Sequence, residues 1–130
     1  MKLLIVDDHA GVRNMIRQLT ARPDDTVREC ASGESALDIA RSFAPDWMTL
    51  DLMLPGLPGL DTARAFRTAH PQTRVVIVSS YDDPELRQTA RDAGVVGYVV
   101  KDNLGELQSL FAVTRTATVA PADRTGTWEI

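Results

Sequence analysis

At 130 residues, 44% apolar and 25% charged, the chain has the size and composition of one globular domain with a single core. A formal net charge of −4 excludes the basic footprint of a nucleic-acid binder, and a single cysteine, Cys30, excludes an internal disulfide. Only four apolar residues follow Met1-Lys2, too few for a signal-peptide core, and no apolar run approaches the ~20 residues of a membrane span, so a cytoplasmic location without membrane contact is expected.

In chain order, Leu3–Val6 is the first predicted strand. It runs straight into Asp7 and Asp8, two like charges that repel and resist desolvation, and a metal ion is the expected offset. Val12, Met15, Ile16 and Leu19 then recur at helical spacing. Thr26–Cys30 is a more polar strand, placed at a sheet edge. Ala36, Leu37, Ala40 and Phe43 mark a second helix, closed by Pro45. The strand Trp47–Leu50 leads to Asp51 and to a loop crowded with Pro55, Gly56, Pro58 and Gly59. Val75–Val78 precedes Ser79 and Ser80. Asp83 and Pro84 read as a helix start, an N-cap acid followed by proline at the first helical position. Leu86, Ala90 and Ala93 form the apolar side of that helix and Gly94 stops it. Tyr98–Val100 leads to Lys101, and Leu104, Leu107, Leu110 and Phe111 form the last stripe.

Continuously apolar strands are covered on both faces, as in parallel sheets, so five β-then-α units predict a doubly wound α/β sandwich. The domain is expected over residues 1–116. Residues 117–130 are expected to be a linker or disordered tail, the alternative being that Trp128 and Ile130 dock on the domain or on a partner.

Parallel strands all end on one side, where the ligand sites of open α/β sheets lie. Asp7, Asp8, Asp51, Ser79 and Lys101 should therefore share one rim. Carboxylates without histidine or cysteine partners favour a hard cation such as Mg2+. A lysine and a hydroxyl opposite suit a phosphoryl group, and one carboxylate could attack phosphorus to give an aspartyl phosphate. Plainer readings stand beside these. Asp7 and Asp8 could cap a helix, Lys101 could be a solvated strand-end lysine, Ser79 could satisfy local backbone, and Tyr98 could be simple core. His9 is read as a helix-start residue, because magnesium prefers oxygen.

Together "LLIVDD", "WMTLDLMLPGLPG", "VVIVSS" and "GYVVKD" resemble the receiver domain of bacterial two-component response regulators, from about Lys2 to Val113. The "DDH" start and the "KD" after the last strand are similar to the subfamily that often carries a helix-turn-helix output. The resemblance implies a flavodoxin-like α/β fold with five parallel strands in the order 2-1-3-4-5. It implies Asp51 as phosphoacceptor, with Asp8, Asp51 and the Met53 backbone carbonyl as direct Mg2+ ligands and Asp7 holding the ion through water. It also implies Lys101 as the partner of a phosphoryl oxygen, Ser79 as the switch hydroxyl, and Tyr98 as the aromatic that enters the space Ser79 vacates. Met53 and Tyr81 would border the phosphoryl site and influence its lifetime.

The implied donor is a phosphohistidine on a sensor histidine kinase or a phosphotransfer protein, in a signalling receiver that catalyses its own phosphorylation and dephosphorylation. A phosphorylation-dependent homodimer is a further implied partner. Too few residues follow the last helix for a DNA-binding domain, so the chain is expected to be a stand-alone receiver or one cut from a longer protein. Three rivals fit less well, the first being a receiver that signals only by binding, without phosphorylation, since all the acceptor-site residues are present. An aspartyl-phosphate phosphatase would want a second acid where Met53 stands, and a flavin phosphate would be repelled by Asp7 and Asp8.

Overall fold

A computed structural model describes residues 1–116, with side chains to residue 112. The expectations for residues 117–130, Trp128 and Ile130 included, lie outside the described residues. Five strands, β1 (Lys2–Val6), β2 (Thr26–Cys30), β3 (Trp47–Asp51), β4 (Arg74–Ser79) and β5 (Gly97–Val100), alternate with five helices. The helices are α1 (Ala10–Thr20), α2 (Gly33–Phe43), α3 (Gly59–Ala69), α4 (Pro84–Asp92) and α5 (Gly105–Thr116), with one 3-10 turn at Lys101–Asn103 ahead of α5. All strands pair in parallel, in the order β2-β1-β3-β4-β5, as expected.

Side-chain alternation along the strands divides the interior into two layers. Leu4, Val6, Met48, Leu50 and Ile77 meet α2, α3 and α4 through residues such as Ala40, Phe66 and Ala90. Leu3, Ile5, Trp47, Val76 and Val99 meet Ile16 of α1 and Leu107 and Phe111 of α5. The polar edge strand is β2, whose residues are half-buried or exposed. β3 is buried throughout, because it lies at the middle of the sheet.

Strands β3 and β4 run past their last apolar residue. Asp51 still pairs with Val78, and Ser79 with Val100. The ladder joins backbone groups and does not stop at the first polar side chain. Two functional candidates therefore stand on the rigid sheet and not on its loops. The helix α3 lacks the apolar stripe that marks the other four. Its buried face is Gly59, Thr62, Ala63 and Phe66, small or polar except for the phenylalanine.

Two backbone details shape the loops. Ala44 ends α2 in the left-handed region at φ 47, just before Pro45, and no other non-glycine residue among those described has a positive φ. Gly59 begins α3 against the end of β3, where a Cβ would overlap the carbonyl oxygen of Asp51. That close approach fixes the loop from Leu52 to Pro58, which Gly59 also ties by donating to the Leu52 carbonyl at 3.1 Å.

Candidate functional site

The rim at the carboxyl ends of the strands gathers the predicted residues. Asp7 and Asp8 follow β1, Asp51 ends β3 and Lys101 follows β5. Asp7 and Asp51 are buried while Asp8 is exposed, and one carboxylate oxygen from each acid lies within 4.8 Å of the others. The Lys101 Nζ stands 3.0 Å from Asp7 Oδ2 and 3.3 Å from Asp51 Oδ2.

Local backbone groups orient the acids. Asp7 Oδ1 accepts from the His9 N–H at 2.9 Å, and Asp51 Oδ1 accepts from the Met53 N–H at 3.3 Å. Asp7 Oδ2 is within ion-pair distance of Lys101 but misaligned for a hydrogen bond, so a buried carboxylate oxygen is left without one. Burial, then the charge of Asp7, pushes the Asp51 carboxyl above its usual range against the opposing pull of Lys101. Burial pulls Lys101 down, but Asp7 and Asp51 together outweigh it and hold the ammonium charged.

A hard divalent cation fits this donor set. Three carboxylates face one ammonium, the donors are oxygen alone, and Asp7 carries an oxygen whose hydrogen-bonding capacity is unused. His9 caps the start of α1 through its backbone and is exposed, the helix-start placement expected of it.

Ser79 is fully buried, and Ser80 beside it is exposed. The Ser79 hydroxyl accepts from the Tyr81 N–H at 3.0 Å, and the Tyr98 phenol donates to the Tyr81 carbonyl at 2.7 Å. The two contacts meet on the backbone of Tyr81. Burial, ahead of every other influence, raises the Tyr98 phenol above its usual range, so it stays a donor. The Tyr98 side chain is only 5% exposed, and the Arg87 guanidinium lies 4.7 Å from its ring centre. Tyr98 is thus a buried side chain whose phenol is held on the Tyr81 carbonyl.

Met53 and Tyr81 flank the rim and are 63% and 51% exposed. Arg13, Glu29 and Arg87 had no part in the sequence reading. Arg13 offered only an oddity, a cation near the start of a helix where the dipole opposes it, and nothing that names its acceptor. Arg87 had none, since its contact with Tyr98 depends on how α4 lies on β5.

The family described as the response regulator receiver domain matches residues 3–112. A nitrate/nitrite response regulator protein homolog of Haemophilus influenzae is 36% identical over 104 residues, covering 78% of this chain and 50% of that protein. The nitrate/nitrite response regulator protein NarL of Escherichia coli K12 is 37% identical over 102 residues, covering 77% of this chain and 47% of that protein. The chain thus spans about half the length of the curated relatives it matches. Among solved structures, a two-component response regulator of the LuxR family from Aurantimonas sp. superposes with a TM-score of 0.77 at 29% identity, covering 97% of this chain and 93% of that one.

Proposed function

The chain belongs to the response regulator receiver domain family, and from that premise we propose that it takes a phosphoryl group onto Asp51 from the phosphohistidine of a sensor kinase or phosphotransfer protein. The observation that carries this reading is the buried Asp51 carboxylate, held on the end of the central strand between the Asp7 and Asp8 pair and Lys101. An Asp51 oxygen attacks phosphorus, the phosphorus–nitrogen bond breaks, and the imidazole leaves with the bonding electrons. Lys101 supplies a fixed positive charge toward the equatorial oxygens of the transferring group. Asp8, Asp51 and the Met53 carbonyl would hold Mg2+ directly, with Asp7 acting through water. The ion, when bound, neutralises charge on the carboxylates and on the phosphoryl oxygens.

Burial of Asp51 keeps bulk water from the nucleophile, and the same residues catalyse the later attack of water on the acyl phosphate. The Ser79 hydroxyl then leaves the Tyr81 N–H and donates to a phosphoryl oxygen, shifting the population of states at α4 and β5. A phosphorylation-dependent homodimer and an output domain in a longer protein belong to the same proposal. Intact-mass measurement with acetyl phosphate and Mg2+ tests it. One phosphoryl adduct is expected on the wild type and none on Asp51→Asn, and an adduct surviving in Asp51→Asn would refute the assignment.

A further inference from the structure

Besides Lys101, Arg13 reaches the acidic rim, and it does so through the backbone. Its Nη1 donates to the Asp7 carbonyl oxygen at 2.6 Å. That carbonyl belongs to the peptide joining Asp7 to Asp8. The Arg13 Nε donates to Glu29 Oε1 at 3.1 Å, while Glu29 Oε2 accepts from Arg17 Nε at 2.8 Å. Burial pushes the Glu29 carboxyl up, but the two arginines outweigh it and keep it ionised. Glu29 stands on β2 one residue before Cys30, whose carbonyl accepts the Asp7 N–H at 3.1 Å. Asp7 is thus held at its N–H, its carbonyl and its carboxylate. Asp8 is exposed and shares that peptide with Asp7.

We propose that Arg13 is a positioning residue for the divalent-cation site. It fixes the Asp7–Asp8 peptide plane, and so the direction from which the Asp8 carboxylate faces Asp7 and Asp51, with Glu29 as its anchor on the edge strand. The proposal rests on the Mg2+-dependent reading above. Groups that orient metal ligands from behind typically change metal affinity 10–100-fold when removed. The sign of the effect is diagnostic. Removing a positive charge beside three carboxylates by itself strengthens cation binding, so a weakening comes from lost orientation.

Calorimetric titration of Mg2+ into the unphosphorylated full chain reads affinity without turnover. Arg13→Met is expected to weaken binding about tenfold and to move the Asp7 carbonyl 13C resonance in metal-free protein. Arg17→Met also releases Glu29 but does not touch Asp7, and it is expected to leave the Mg2+ affinity unchanged. Arg13→Lys keeps the charge and one donor but cannot span carbonyl and carboxylate together, so a smaller loss is expected in a variant that folds. Unchanged or tighter binding in Arg13→Met would overturn the proposal, as would equal losses in Arg13→Met and Arg17→Met. If Arg13→Met fails to fold, wild-type affinity in Arg13→Lys would overturn it. Failure of the wild type to bind Mg2+ would instead strike the underlying functional reading, which these variants leave distinguishable.

Discussion

Asp51 carries a charge that its surroundings resist. Burial and the charge of Asp7 raise its carboxyl above the usual range, so the folded chain takes up a proton there more readily than the unfolded chain does. Stability contributed by this group therefore rises as pH falls through the window between the raised and the ordinary carboxylate value. Above that window the ionised Asp51 is a net cost. Asp51→Asn should accordingly be more stable than the wild type at pH 7 in metal-free buffer, with the advantage shrinking as pH falls toward the ordinary carboxylate range. Thermal melts across pH would check this, and saturating Mg2+ should reverse the order, since a ligand at 100 times its Kd contributes about 2.7 kcal/mol. Thr49 gives a second test at this scale. Its hydroxyl is buried at the centre of the sheet without a hydrogen bond. Thr49→Val keeps the branched shape that a strand favours and removes the stranded polar atom, and should raise stability by about 1 kcal/mol in urea titrations.

At the scale of elements, what matters is how helices begin and end. The C-cap of α2 places Ala44 in the left-handed region, which costs a residue with a Cβ about 1 kcal/mol or more. Glycine relieves that strain but adds freedom to the unfolded chain. Ala44→Gly should therefore raise stability by only about 0.5 kcal/mol, read as an upward shift of the urea midpoint at constant slope. The start of α3 behaves oppositely. A Cβ at Gly59 would meet the Asp51 carbonyl oxygen and the Leu52 backbone, neither of which is a flexible side-chain end. Gly59→Ala should lower stability by about 1–2 kcal/mol despite alanine's higher helix propensity, because overpacking outweighs it. The same substitution should lower the yield of phosphoryl adduct, since it moves the strand end that carries Asp51.

At the scale of the whole molecule, the rim and the α4–β5 region are joined by few groups. Ser79 ends β4 and its hydroxyl accepts from the Tyr81 N–H, the Tyr98 phenol donates to the Tyr81 carbonyl, and Arg87 of α4 covers the Tyr98 ring and pairs with Asp82 at 2.8 Å. Beryllofluoride, a phosphoryl mimic, should perturb backbone amide NMR signals across residues 83–111 and not only at the acids. In Ser79→Ala the acids should still respond while the distant perturbations shrink. Shifts confined to the rim in the wild type would remove the hydroxyl as the link.

Much of this was legible in the chain itself. Continuous apolar runs announced a parallel sheet, and the polar residue after each run named the members of the rim, because parallel strands bring their carboxyl ends to one side whatever their order. The gathering of Asp7, Asp8, Asp51 and Lys101 was readable for that reason, and Ser79 was readable as the polar residue at the end of β4. The third helix was not, since Thr62 and Ala63 form a buried face without an apolar period. Tertiary structure alone decided which atoms meet. The closeness of Lys101 to Asp7 as well as Asp51, the hold of Arg13 on the Asp7 carbonyl, and the bond from Tyr98 to the Tyr81 carbonyl each join different elements of the fold. Such contacts follow from how helices lie on the sheet and which rotamers that packing allows, and no local pattern of residue types encodes them.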